Sequence, residues 1–271
     1  MAVARLNRNQ FRYKKPAGVL EPDYSNQFTG GEIIAFTSNG LPYLLHNNKE
    51  PAVYGSATYS GDGAELGVDS AFNFVDVALS LNGTTKHTWA WVGTIHSFDN
   101  WGGLITRTRS GTSNSNFSLQ EWYGAGDIVT FVNGGSGVIF SGVTAASLAD
   151  GIEHKHVLAR DGSSVKWYID GKLEGTATIT GAAIADVDTN RTTFGAERVG
   201  TTANAQSDWV IFNQVKNVAW GASEAAEWSK DPYQIIKSRK AYFIFPESGV
   251  APTTTWANDE YYKTLLSGNT L

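Results

Sequence analysis

Two Asp-Gly pairs, Asp161-Gly162 and Asp170-Gly171, constrain this chain more than any other feature of its sequence. Asp tolerates the left-handed backbone region and Gly enters it freely, which is what a tight hairpin turn demands. Between the pairs lies Val165-Lys-Trp-Tyr-Ile169, and before them His154–Arg160, both built of strand-forming residues. The second pair predicts a β-hairpin into Lys172-Leu173. The first opens a slightly longer hairpin loop through Ser163-Ser164. A chain that doubles back twice in this way lays down consecutive antiparallel ribbons.

The same grammar extends along most of the chain. His87-Thr-Trp-Ala-Trp-Val-Gly-Thr-Ile95 sets Trp89, Trp91 and Ile95 on one side and Thr88, Ala90 and Val92 on the other, the period of a strand packed on one face. Further strands are expected at Gly103–Arg107, Asn116–Trp122, Asp127–Val132, Gly137–Ser141, Leu173–Ile179, Thr192–Ala196, Asp208–Asn213 and Ala241–Phe245. They are short and separated by Gly, Asn, Asp or Ser, the spacing of a sandwich or barrel. With 29 Gly and 33 aromatic residues among 271, and only 17% charged residues, composition agrees. One short helix is expected around Gly221–Lys230, with Ser223 as N-cap, acids in its first turn and Pro232 ending it.

Both ends read as arms. Residues 1–35 are broken by Pro16, Gly18, Pro22 and Gly30-Gly31, and residues 247–271 form a second tail, leaving 36–246 as the sandwich. Arg5, Arg8, Arg12, Lys14 and Lys15 give the first twenty residues a local charge of +5 with no acid, against a net charge of −5 for the whole chain. A basic arm on an acidic body is expected to dock on an acidic neighbour, another copy included. Nucleic acid is the competing partner, but the acidic body repels phosphate. There is no Cys, which excludes disulfides and thiolate chemistry. No signal peptide and no apolar stretch long enough for a bilayer is seen, so a soluble protein made in a cytoplasm is expected, with no membrane partner.

The run Asp150-Gly-Ile-Glu-His-Lys-His-Val-Leu-Ala-Arg-Asp-Gly162, followed by Val165-Lys-Trp-Tyr-Ile-Asp-Gly-Lys172, resembles the central signature of concanavalin A-like, laminin-G-type jelly rolls. Thr193-Phe-Gly-Ala196 is similar to a downstream strand of that family. Asp208–Phe212 and Ser223–Trp228 are similar to its penultimate strand and short helix. The family usually has Trp where this chain has His154. The resemblance covers 36–246 and implies an all-β, two-sheet antiparallel jelly-roll sandwich with one short helix and extended N- and C-terminal arms. The stretch Asp231–Arg239 with Ala241–Phe245 resembles the closing segment of jelly rolls in phage structural modules, with Tyr233 replacing the usual Trp.

Catalytic motifs are missing. The acidic strand motif of related glucanases has its nearest match at Glu21-Pro-Asp-Tyr-Ser-Asn26, without the final Glu. No nucleophile elbow, P-loop or His-Glu-x-x-His is present. Asp186, Asp188 and Asn190 have calcium-loop spacing, with Glu197 at the twelfth position, but Arg191 holds the sixth in place of Gly. An acidic surface turn is the plainer reading, and calcium stays open. Trp101, Trp122 and Tyr123 lie near expected loops and are the candidate sugar platforms, against a plain role in the core. The expectation is a non-enzymatic bacteriophage virion structural protein, a capsid decoration, fibre or tail-associated adhesin. Its arms would attach it to other virion proteins, it would form a homo-oligomer, and its sandwich would meet a host-surface glycan. The alternative is a soluble carbohydrate-binding lectin module.

Overall fold

A computed structural model describes residues 20–29, 31–36, 43–45, 50–55, 57–60, 63–67, 70–74, 77–108, 115–121, 126–186, 190–196, 205–238, 242–244 and 253–255. In chain order the strands are β1 (Leu20–Pro22), β2 (Glu32–Ala35), β3 (Tyr43–Leu44), β4 (Ala52–Tyr54), β5 (Ala57–Ser60), β6 (Gly63–Leu66) and β7 (Ala71–Phe74). After a 3-10 turn come β8 (Lys86–Phe98), β9 (Gly103–Thr108), β10 (Ser115–Glu121), β11 (Asp127–Val132) and β12 (Val138–Thr144). The four-residue helix α1 (Ala145–Leu148) precedes β13 (Glu153–Asp161), β14 (Ser164–Ile169), β15 (Lys172–Thr178), β16 (Arg191–Phe194) and β17 (Ala205–Lys216). Helix α2 (Ala222–Lys230), a second 3-10 turn, β18 (Ile236–Ser238), β19 (Tyr242–Ile244) and β20 (Thr253–Thr255) complete the order. The all-β antiparallel architecture is as expected.

The chain forms two compact units, residues 22–235 and residues 1–21 with 236–271. The larger is a two-layer sandwich. One sheet runs β3-β2-β17-β8-β13-β14-β15, the other β11-β10-β9-β16-β7-β4, and β12 pairs with both β15 and β11. The smaller unit holds the ribbon of β1 with β18 and the hairpin β19–β20. The sandwich therefore starts earlier than residue 36, because Ile33–Ala35 supplies an apolar strand that pairs with Asn213–Ile211. It also ends earlier than 246.

The alternation expected for β8 is present. Trp89, Trp91 and Ile95 enter the core beside Leu158 and Trp167, while Thr88, Ala90 and Val92 face the other way. Trp89, Trp91, Trp167 and Trp209 are all at most 1% exposed, and at 25 cal/mol per Å2 each contributes about 4–6 kcal/mol of gross hydrophobic stabilisation. Trp209 and Phe212 both point inward only because a bulge between Trp209 and Ile211 resets the register of β17.

Both Asp-Gly turns form, with Asp170 at φ 50°, Gly171 at φ 80° and Gly162 at φ 60°. Gly171 meets a second demand, since a Cβ there would lie 2.9 Å from Ala226 Cα of α2. Helix α2 lies on the outer face of the first sheet, where Trp228 is buried and Trp220 bridges to Phe28 at a ring distance of 5.0 Å. Its cap is Gly221 rather than Ser223. Gly221 N donates to Glu224 Oε2 at 3.0 Å, and Ser223 Oγ donates to the same oxygen. A second helix, α1, was not expected. Thr144 caps it by accepting from Ser147 N, a local exchange that four residues barely signal in sequence.

Candidate functional site

Helix α2 lies over β13 and β15, and residues 22–29 lie beside the C-terminal half of β17, where Asn213 Nδ2 donates to Phe28 O. Towards the other end of β17 the sheet carries a polar row. Thr58, Glu65, Asp208, Thr94 and Glu153 stand opposite one another across β5, β6, β17, β8 and β13. Residues directly opposite in antiparallel strands share a face. Their chain neighbours Trp209 and Ile95 are in the core, so this row points outward. A hollow of about 90 Å3 opens here, lined by Glu65, Thr94, Glu153 and Asp208 over Gly63, Ala64 and Val210. Gly63 makes the close approach feasible: it sits at φ 148°, and a Cβ would lie 2.2 Å from the carbonyl oxygen of Trp209.

The row is electrostatically one-sided. Burial raises the Asp208 carboxyl above its usual range; the hydrogen bond and charge of His96 oppose this, and Glu65 reinforces it. His96 Nε2 lies 3.1 Å from Asp208 Oδ2, whereas Asp208 Oδ1 is buried without a hydrogen-bond partner among the described residues. Thr58 Oγ1 donates to Glu65 Oε2 at 3.1 Å. Carboxylates in this arrangement accept hydrogen bonds from hydroxyl or ammonium groups and repel anions.

A second cluster lies at the start of β13. His154 Nδ1 is 2.8 Å from Asp170 Oδ2, and its Nε2 is 3.0 Å from Asp150 Oδ2. The hydrogen bond to Asp170 is the main reason the imidazole is raised to about 9; burial opposes it and Asp150 adds to it. Burial alone would raise Asp170, but His154 and the backbone N–H of Lys155 outweigh it and bring the carboxyl to about 2. The cluster ties the segment before β13 to the β14–β15 turn, and its donors and acceptors satisfy one another.

The residues expected to act from sequence fare differently. Trp101 lies in the turn after β8, half-buried, at φ 64° and with its N–H donating to Glu121 Oε2 at 3.1 Å. A bulky side chain in that region is strained, a pattern frequent at binding surfaces. Trp122 and Tyr123 lie outside the described residues, as do the arm residues Arg5, Arg8, Arg12, Lys14 and Lys15.

Of the calcium-loop candidates, Asp188 lies outside the described residues, while Asp186 and Asn190 are buried. Asp186 Oδ2 accepts from Arg107 Nε at 2.7 Å and Leu81 N at 2.8 Å, and its Oδ1 accepts from Asn190 Nδ2 at 2.6 Å. A guanidinium thus neutralises this carboxylate, which corrects the reading of an acidic surface turn at Asp186. Among the described residues no group of three or more His, Asp or Glu could hold a metal ion, and no helix is long and apolar enough to cross a membrane.

Sequence reasoning missed Glu65, Glu153 and Asp208. They come from three separate strands, and only register, which the chain does not display, brings them together.

No family model matches the chain, and no curated protein matches it in sequence. Solved structures do match in fold. Trypanosoma rangeli sialidase superposes with a TM-score of 0.53 at 12% identity, over 75% of this chain and 33% of the sialidase. The binding domain of Paraclostridial Mosquitocidal Protein 1 gives 0.56 at 13% identity, over 75% and 52%. Botulinum neurotoxin type C, a toxin that depends on interaction with two ganglioside molecules to enter cells, gives 0.53 at 16% identity, over 76% and 52%. The chain spans from a third to about half of these neighbours' lengths. What it shares with them is the all-β fold.

Proposed function

We propose that this chain is a non-enzymatic, lectin-like binding module of the concanavalin A-like, laminin-G sandwich type. In this reading it is displayed on a bacteriophage particle, and its basic arm and C-terminal segment attach it to other virion proteins. The observation that carries the binding reading is the hollow at Glu65, Thr94, Glu153 and Asp208, a concave set of hydrogen-bonding groups on the outer face of a sheet. Carboxylates beside a threonine hydroxyl suit the vicinal hydroxyls of a saccharide. Three acids on one face disfavour anionic sugars, so the ligand is a neutral or amine-bearing glycan.

The toxin and sialidase neighbours support the reading by fold alone. The phage setting is supported by the closing segment Asp231–Arg239 with Ala241–Phe245 and by the +5 arm. Homo-oligomerisation follows by analogy with symmetric surface proteins.

A glycan array with the full chain tests the site. Binding to neutral or amine-bearing glycans that falls at least tenfold in Asp208→Asn with Glu153→Gln supports it, and no binding to any glycan overturns it. Release of free sugar from a bound glycan would overturn the non-enzymatic part. Deletion of residues 1–20 tests the attachment. Loss of particle association with sandwich melting unchanged is expected, and retained association would overturn it.

A further inference from the structure

Two histidines face the interior of the sandwich, and the binding site uses neither. His87 on β8 and His156 on β13 are 0% and 1% exposed, and no ring nitrogen of either has a hydrogen-bond partner among the described residues. His87 meets Phe117 edge-on at 4.5 Å and Trp89 at 5.6 Å. His156 stacks on Trp91 at 4.7 Å and faces Trp167 at 5.9 Å. The two strands pair with each other over nine registered positions, so both rings lie on the central ladder of the first sheet.

The charged groups bearing on these rings make protonation in place worse. His87 has the guanidinium of Arg160 near it. His156 has His154 two residues away on its own strand, only partly offset by Asp170 and Asp150. Burial first, and then these cations, hold each imidazole down at about 3. A buried imidazole with no acceptor for a second N–H has nowhere to place a proton.

We infer that His87 and His156 form an acid trigger: the sandwich takes up two protons only by opening, and so is destabilised in mildly acidic surroundings. The sign follows from linkage. The unfolded chain binds protons at these sites near pH 6.5 and the folded one near 3, so stability is intact above 6.5 and lost as pH falls between those values. Each ring lowers the folded-to-unfolded ratio by up to about tenfold per pH unit, and the pair by about a hundredfold. Asp170, at about 2, adds its loss only near the bottom of this window.

Urea unfolding of the full chain at pH steps from 7.5 to 4.5 tests the trigger. The wild-type folding constant should fall by about a hundredfold per pH unit below 6, by about tenfold in His156→Phe or His87→Phe, and little in the double variant. A double variant that keeps the wild-type slope would overturn the inference. Should the variants fail to fold, NMR titration of the ring protons of the wild-type chain decides. Rings that stay neutral until the fold is lost support the trigger, and rings that titrate near 6.5 in the intact fold overturn it.

Discussion

Arg107 and Asp186 meet at 2.7 Å with neither side chain exposed, and they join β9 to the segments around Leu81 and Asn190. Removing one partner leaves a buried charge alone, so Arg107→Met is expected to destabilise the sandwich by about 3–5 kcal/mol in chemical denaturation. His154 acts in the opposite sense to the two core histidines. Its folded value is raised to about 9, so its contribution is complete below 6.5 and disappears as pH rises through 9. Its ring signals should therefore titrate near 9, and the stability gap between wild type and His154→Gln should close above pH 10. Nothing in the sequence spacing separates these roles. Asp186 looks like a ligand in a calcium loop, and only its burial beside Arg107 shows that its oxygens are already taken.

At the scale of the element, the two Asp-Gly turns give a controlled comparison. Gly162 has open space around its missing Cβ, whereas Gly171 is backed by α2. Gly162→Ala is expected to cost about 1 kcal/mol, the strain of the left-handed region alone. Gly171→Ala should cost clearly more, read as a larger drop in melting temperature, because the helix backbone must also shift. Elements were well legible where the period was clean. Runs such as Asp127–Val132 and Val165–Ile169 alternate or are rich in β-branched and aromatic residues, and they fold as strands. The short strands before Leu66 were hidden, since two to four residues carry no period. The bulge in β17 was hidden as well, because it is set by pairing with β8 and not by any residue of its own.

At the scale of the whole molecule, the polar row on the outer face exists only once five strands are in register, so it is a property of topology. Its ligand preference should follow its charge. Raising salt is expected to strengthen any residual binding of sialylated glycans and to leave neutral ones unchanged, as a binding isotherm at two ionic strengths would show. The two-layer fold could be read from alternation and turns, while the division into residues 22–235 and a separate terminal unit could not. That division depends on β1 pairing with β18 across more than two hundred residues. Strand β12 has a mechanical meaning of its own. It has three registered pairs with β11 and one, Ser141 with Thr176, with β15. A force that prises the layers apart would peel it from β15 first, and the molecule would open like a book whose spine stays glued to one cover.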